Sequence, residues 1–467
     1  MIGITAYSAY IPRLRLEREK IAAAWGSSQV AGSIAVANYD EDALTMAIEA
    51  ASACLDRVDA GNLDGVYFAS TSAPYREKQL ASVVATACDL PRQSQSADFS
   101  GSTRAGLGAV ISASFAVRSG ARQQILVAAA DARLAAPESE LEGLLGAGAA
   151  AVCIGRGQVA AEIVDVASVS EEFTHLWRTD GERYVQSFAG KFSNTYGYNK
   201  DLGEALRNLM QANNLEPRAI ARLALASPDI RAAADLAKEL GFDAKTQLVA
   251  PPIGAMGSAG TADPLLSLGA ALDTADAGQL ILVGAHGEGA DAILLRVTDE
   301  IQRCRPRRSY AHHLAAKLSL PSYERYLKYR RILDLDEPGE AINNVLEFKE
   351  LKQDVRLYGS RCSACGTIQY PLARVCLKCR ARDSLGDVKL NRTGTVFTFT
   401  IDHLIANLEH PLPMAVVDLD GGGRLYLQVT DFREEEVQVG NPVVLTYRRL
   451  HGGGGNHNYF WKARPVR

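Results

Sequence analysis

The sequence predicts an α/β fold made from a duplicated unit, followed by a metal-bound ribbon and a small β-barrel. Three observations carry this reading. Short apolar runs alternate with amphipathic helical segments through the first 297 residues, the same region resembles itself at an offset of about 156 residues, and four cysteines form two Cys-x2-Cys pairs between positions 362 and 379.

The strands come first. GVYFAS (65–70), QILVAAA (124–130), GAAAVCI (148–154), LALAS (223–227), QLILVGA (279–285) and DAILLRV (291–297) are apolar runs bounded by Gly or Pro, the pattern of strands buried on both faces. Between them, 42–58, 77–90, 105–120, 202–214 and 231–242 repeat apolar residues with helical spacing. A helix that is apolar along one stripe must cover a sheet or another helix, so alternation of the two implies layers.

At the 156-residue offset Ser102 falls on Ser258, Leu126 on Leu282 and Ser70 on Ala226. STRAGLGAVISASFAVRSGARQQILVAAA then overlies SAGTADPLLSLGAALDTADAGQLILVGAH, a small-residue turn, a helix and an apolar strand in each. Two such helix starts offer backbone N–H groups to an anionic or thioester oxygen. Close helix packing accounts for the same small residues equally well.

Cys362, Cys365, Cys376 and Cys379 are separated by two, ten and two residues. Each pair turns two thiolates toward one point, and two pairs make a closed tetrahedral zinc site with no position left for water. Iron in a rubredoxin-like site and four reduced thiols are the alternatives. After them, NRTGTVFTFTIDHL, PLPMAVVDLDGGGRLYLQVTDF, EEVQVGNPVVLTYRRL and NYFWKARPV alternate β-branched and aromatic residues between Gly and Pro breaks, as strands of a small barrel do.

Composition sets further bounds. With 50 Lys plus Arg against 54 Asp plus Glu, the net charge of −4 does not suit a nonspecific nucleic-acid coat, although RCRPRRSYAHH (303–313) and YERYLKYRR (323–331) place basic residues beside aromatics. Those two stretches also suit a solvated connector or a contact with phosphates. The N-terminal MIGITAYSAYIPRLRL has no charged segment leading into an apolar one, and no apolar run approaches bilayer length, so a soluble, cytoplasmic protein is expected. Eight cysteines, four of them crowded together, fit metal ligation in a reducing compartment better than a disulfide framework.

YIPRLRL, VANYDEDALTMAIEAA, FASTSAPYREKQ, ADFSGSTRAGLGA, FTHLWRTDGERY, LGAGAAAVCIG, GSAGTADPLLSL and GADAILLRV together resemble the 3-hydroxy-3-methylglutaryl-CoA synthase-like branch of the thiolase superfamily. The resemblance covers residues 1–297 and implies the duplicated five-layered fold, with repeats of about 1–165 and 166–297, and carbon–carbon bond chemistry next to a CoA thioester. Residues 298–355 read as a connector, 356–385 as the zinc ribbon and 386–467 as an OB-fold domain. The last two, over about 350–467, resemble the module that accompanies thiolases and synthases, in which an OB-like barrel faces the acyl-CoA channel. A CoA thioester as substrate or ligand, a homodimer and a separate thiolase subunit are the partners this implies.

A condensing synthase of that family uses a nucleophilic Cys, a proton-moving Glu, and a His and an Asn that support the thioester oxyanion. By local pattern the Cys position is Thr103, the Glu position Thr71, the His position Ala226 and the Asn position Ser258, with Gly257 as the alternative for the last. All four differ from the catalytic set. A Thr hydroxyl without a base is a poor nucleophile near neutral pH, and Cys54, Cys88 and Cys153 fall within expected helices or a strand as structural thiols. His286 in VGAHGEG, at a strand end, is the one histidine placed near the reactive edge of the repeats, and His175, His312 and His313 read as loop residues. A site rewired around Tyr, Asp or His would need an acid/base pair and an oxyanion site. A CoA-binding subunit without catalysis of its own is the competing expectation.

Overall fold

A computed structural model describes residues 1–28, 31–333, 343–404, 409, 411–453 and 455–466. The chain forms two compact units, one of Met1–Ala37, Asp42–Ala85 and Leu90–Arg330, the other of Asn38–Glu41, Thr86–Asp89 and Arg331–Arg467.

The first unit is organised around a nine-stranded sheet. Its strands are β1 (Ile2–Tyr10), β2 (Gly65–Ala69), β3 (Gln95–Phe99), β4 (Gln124–Ala132), β5 (Ala147–Arg156), β6 (Ala161–Ser170), β7 (Arg222–Leu225), β8 (Leu280–His286) and β9 (Gly289–Val297). They lie in the order β7-β8-β9-β6-β1-β5-β4-β2-β3, which reads alike from either side of the β6/β1 pair. Helices α1 (Ala43–Leu55), α2 (Leu80–Ala87) and α3 (Ala105–Arg118) of the first half correspond in order to α4 (Gly203–Ala212), α5 (Ala232–Glu239) and α6 (Asp263–Thr274) of the second. The counterpart of β3 is reduced to one parallel bridge, Leu223 to Leu248. This is the duplicated, thiolase-like α/β architecture expected from the sequence.

Packing explains the layers. α3 and α6 are apolar nearly all round and share one core with the sheet, from Leu107, Val110 and Ile111 to Leu265, Leu266 and Leu268. Amphipathic α4 buries Leu206, Leu209 and Met210 in a second core with Leu236 of α5 and Leu282 of β8. Two glycines mark where backbones meet. A Cβ on Gly3 would sit 2.0 Å from the Ala161 carbonyl oxygen at the β1/β6 seam, and one on Gly106 of α3 would sit 2.1 Å from that of Thr261. α1 starts cleanly because Asp42 and Thr45 cap each other's backbone N–H, at 3.0 Å in both directions.

β1, β3 and β6 are strands that the apolar-run criterion does not find. ITAYSAY and EIVDVASVS mix small and polar residues, and the edge strand QSADF has Phe99 as its one large apolar residue. The start of the connector also differs from expectation. Ile301–Cys304, Tyr310–Ala315 and Tyr323–Tyr329 are helices of the first unit, and Tyr323, Tyr326 and Tyr329 of YERYLKYRR are buried, so this stretch is not a solvated linker. Positions 334–342 lie outside the described residues.

In the second unit, β10 (Tyr358–Cys362), β11 (Ile368–Gln369) and β12 (Leu385–Lys389) form a ribbon in the order β11-β10-β12. β13 (Thr393–Asp402), β14 (Leu412–Leu419), β15 (Arg424–Gln428), β16 (Pro442–Gly453) and β17 (Asn456–Pro465) form a five-stranded sheet in the order β15-β14-β13-β16-β17. A parallel bridge from Val429 to Ala463 links its two ends, so the sheet curls as an OB fold does. Fully buried Arg448 of β16 reaches Glu41 at 2.8 Å and Asp431 at 2.6 Å. Among the described residues no helix is long and apolar enough to cross a membrane.

Candidate active site and metal centre

Strand direction gathers the candidate residues. β2 runs parallel to both β3 and β4, and β7 runs parallel to β8. Thr71 follows β2, Thr103 lies between β3 and α3, Arg133 follows β4, Ala226 follows β7, and His286 ends β8. Chemistry at the carboxyl ends of parallel strands is the general rule for α/β sheets.

Two cavities meet there. One, of about 780 Å3, is lined by Thr103, Arg133, His175, Ala226, Ser258 and His286 among others. The second, of about 610 Å3, is lined by Thr71, Ser102, Thr103, Arg133 and His175 among others. Thr103, Arg133, His175 and Leu176 belong to both walls. The structure therefore places Thr103, Ala226, Ser258 and His286 on one cavity and Thr71 on the adjoining one.

Thr103 is tied down rather than activated. Its hydroxyl donates to the His286 carbonyl at 2.9 Å, and Ser102 donates to the Gly287 carbonyl at 3.0 Å. Among the described residues no imidazole nitrogen or carboxylate takes the Thr103 proton, so the hydroxyl lacks the base that a Ser or Thr nucleophile requires.

His286 is buried, and burial, reinforced by His175 and Arg104, pushes its pKa down to about 3. Burial, with Arg133 adding to it, pushes His175 down to about 4. The two rings meet edge to face at 5.7 Å, and the Tyr198 ring stands 5.8 Å from His286. Both imidazoles are neutral near pH 7, and the His286 Nε2 and His175 Nδ1 atoms are buried without hydrogen-bond partners among the described residues. Asn194–Leu202 form a π-helix, a form that recurs at functional sites, and it delivers Tyr198 and Asp201 to this spot. The Asp201 carboxylate stands 3.8 Å from His286 Nε2, too far for a hydrogen bond, and burial raises its pKa. His175 is a loop residue, as read from the sequence, and lies on the walls of both cavities.

Asp131, the residue before the last of β4, is fully buried and joins the two halves. It accepts hydrogen bonds from Ser70 Oγ, Thr71 N and Oγ1, Ser72 N and Oγ, and Thr261 N and Oγ1, at 2.7 to 3.0 Å. Beyond it, Arg133 donates to Ser258 Oγ at 2.8 Å, and Ser258 donates to Asp263 at 2.6 Å. Asp263 also accepts from Ala259 N at 2.8 Å, and its burial raises its pKa to about 6. The Ala259 and Thr261 N–H groups at the second helix start are therefore taken by carboxylates and are not offered to a ligand. The paired helix starts expected from the sequence do not act alike.

The sequence reading missed Asp131, Arg133, Asp201 and Asp263. Only the first two leave a local signal, as charges directly after the apolar run ILVAAA.

At the ribbon, the Sγ atoms of Cys362, Cys365, Cys376 and Cys379 all lie within 4.8 Å of one another, with Cys362–Cys379 and Cys365–Cys376 at 3.6 Å. Four thiolates bound to one ion at ~2.3 Å stand just under 4 Å apart, so these residues fit a tetrahedral zinc ion. The ion there would be structural, with all four positions filled by protein.

Two family models match the second unit: "ChsH2, rubredoxin-like zinc ribbon domain" over residues 350–384 and "ChsH2, C-terminal OB-fold domain" over 387–448. The hydroxymethylglutaryl-CoA synthase of Methanosarcina mazei is 34% identical over 347 residues, covering 71% of this chain and 97% of the relative. That of Methanopyrus kandleri is 30% identical over 343 residues, covering 71% and 98%. The chain belongs to the hydroxymethylglutaryl-CoA synthase family. Solved structures agree on the fold: MvaS in complex with 3-hydroxy-3-methylglutaryl coenzyme A superposes with a TM-score of 0.62 at 21% identity, over 73% of this chain and 94% of that one. An HMG-CoA synthase complexed with CoA gives 0.62 at 16% identity, over 73% and 92%. The zinc ribbon and OB-fold matches lie in the C-terminal part of the chain.

Proposed function

We propose that the chain binds an acyl-CoA thioester in the 780 Å3 cavity and acts on it in acyl transfer or carbon–carbon bond formation or cleavage, without a covalent acyl-enzyme. The observation that carries this reading is convergence: Thr103, Ala226, Ser258 and His286, far apart in sequence, line one cavity of the size that ligand sites have. Lys191 and Arg231 on the same wall match the charge of CoA phosphates.

With the Thr103 hydroxyl committed to a backbone carbonyl, proton transfer in place of nucleophilic attack is the chemistry left to the site. His286, neutral and unpartnered at Nε2, is the candidate acid/base residue, and Tyr198 and Asp201 hold its surroundings. An aldol or retro-aldol step needs only such a group and a place for the oxyanion. Zinc at Cys362, Cys365, Cys376 and Cys379 keeps the ribbon folded and takes no part in the reaction. A homodimer in the cytoplasm, with a Cys-bearing thiolase as a further partner, completes the reading.

The test is mass spectrometry of CoA products after the zinc-loaded full chain is incubated alone with acyl-CoA, 3-ketoacyl-CoA and 3-hydroxyacyl-CoA substrates. Turnover that is lost in H286Q supports the reading. Binding without turnover transfers the chemistry to a partner subunit, and failure to bind any CoA thioester at millimolar concentration ends it.

A further inference from the structure

The zinc ribbon carries more positive charge than the chain neutralises. Arg361, Arg374, Lys378, Arg380 and Arg382 are all exposed, and the only carboxylate between positions 361 and 383 is Asp383. Among the described residues none of the five joins an ion pair, and Asp387 of β12 and Asp418 of β14 are taken by Lys352 and Arg424 instead. A zinc ion held by four thiolates brings two negative charges, which offset fewer than half of these cations. The ribbon backbone gathers them, since Val375 bridges Arg382 and the Asp383 N–H donates to the Arg374 carbonyl at 3.1 Å. Apolar side chains stand among the charges. Val375 is exposed, and Leu377, 64% exposed, borders a groove of about 290 Å3 that Ile368, Leu419, Gly422 and Gly423 also line, room for one aliphatic side chain.

The opposite character lies elsewhere on the same unit. In the turn between β15 and β16, Glu434, Glu435 and Glu436 follow a single cation, Arg433, and Val439 just beyond them is 64% exposed. Glu434 and Glu435 are exposed and, among the described residues, pair with no cation. Within one chain, therefore, the acidic turn does not neutralise the basic ribbon. We infer that the turn at 433–439 of one copy docks on the zinc ribbon of a second copy, its glutamates against Arg374, Lys378, Arg380 and Arg382 and its Val439 beside Leu377. Charge complementarity selects this occupant: a basic surface with an apolar centre meets an acidic one with an apolar edge, and both are present on every copy. A nucleic acid would need exposed aromatics for stacking, and positions 361–382 offer only Tyr370, whose hydroxyl donates to Asp354 at 2.8 Å. Because the two surfaces differ, the contact is heterologous, and copies add head to tail or close into a ring. It uses neither cavity and does not depend on the acyl-CoA reading.

The experiment is sedimentation velocity on the zinc-loaded full chain, as a concentration series at about 50 mM and about 300 mM NaCl. Each copy carries a net charge of −4, so bulk repulsion alone would make association stronger as salt is added. Docking predicts the opposite sign: association at low salt that weakens by about 10-fold or more at the higher concentration. E434K/E435K removes the net charge and with it the bulk repulsion, yet it should weaken low-salt association by about 10-fold, as should R374E/R382E. An equimolar mixture of the two variants should recover association to within about 3-fold of wild type, because each restores the pairing that the other reverses. Neither variant is net positive, so overall attraction cannot produce that recovery. Should R374E/R382E lose zinc, E434K/E435K carries the comparison. A size that does not change with concentration, association that strengthens with salt, association that E434K/E435K retains, or a mixture of folded, zinc-loaded variants that fails to recover overturns the inference. Binding of an oligo-glutamate peptide or a single-stranded oligonucleotide to the ribbon of a chain that does not self-associate overturns it as well, since the surface then serves another partner.

Discussion

Replacing Asp131 tests whether one carboxylate holds the reactive loops of the two halves together. In D131A seven hydrogen bonds disappear. The four hydroxyl donors can rotate toward other acceptors, and Ser72 N–H keeps its bond to Ser70 Oγ at 3.1 Å, but the N–H groups of Thr71 and Thr261 cannot move to another acceptor. A buried donor left without an acceptor costs about 1–3 kcal/mol, so two of them put the loss at roughly 2–6 kcal/mol. Thr71 is only half-buried and can recover some hydration, which favours the lower part of that range, about 2–4 kcal/mol. D131N keeps the shape but turns an amide NH2 toward donors, and about 1–3 kcal/mol is expected. Urea unfolding followed by far-UV circular dichroism measures both, read on the transition of the first unit. A loss below about 1 kcal/mol in D131A would refute the claim that the Thr71 and Thr261 N–H groups depend on this carboxylate.

Two further outcomes are expected. C376S should lose bound zinc by elemental analysis and show a separate low-temperature unfolding transition by calorimetry, because structural zinc binding is folding free energy; unchanged metal content and melting would contradict this. His286 and His175, held at about 3 and 4 against 6.5 in an unfolded chain, bind fewer protons when folded, so their contribution to stability is complete above pH 6.5 and is lost as pH falls through that window. Asp263, held at about 6 against 3.8, works in the opposite sense over much of the same range. The clean comparison is therefore by difference: H286Q should lose less stability than wild type in urea titrations between pH 6.5 and pH 4, and parallel curves would show that His286 is not the buried neutral group described.

How much of this was legible in the sequence depends on whether a feature is local. Strands such as QILVAAA and helices such as AGLGAVISASFAVR declare themselves by period, and the cysteine spacing declares the ribbon. That Thr103, Ala226 and Ser258 line one cavity and Thr71 the adjoining one could not be read from local pattern, because it depends on strand order. β1 and β6, the axis of the sheet, were not, because their burial comes from neighbours on both sides rather than from a run of bulky residues. The role of Asp131 was hidden for a different reason: it engages residues 61 and 130 positions away. The π-helix at 194–202 escaped because NTYGYNKDL is polar and contains Gly, and no periodicity argument distinguishes such a turn from a loop.

The mirrored strand order has a consequence for how such a protein changes over generations. Thr103, Thr71, Ala226 and Ser258 lie beyond strand ends or at helix starts, while the buried apolar faces of β4, β8, α3 and α6 supply the core. Substitutions at Thr103, Thr71, Ala226 and Ser258 therefore leave the scaffold's main source of stability untouched. Residues at these loop positions can therefore change while the sheet and its helices keep the frame, and either half can be revised while its counterpart holds.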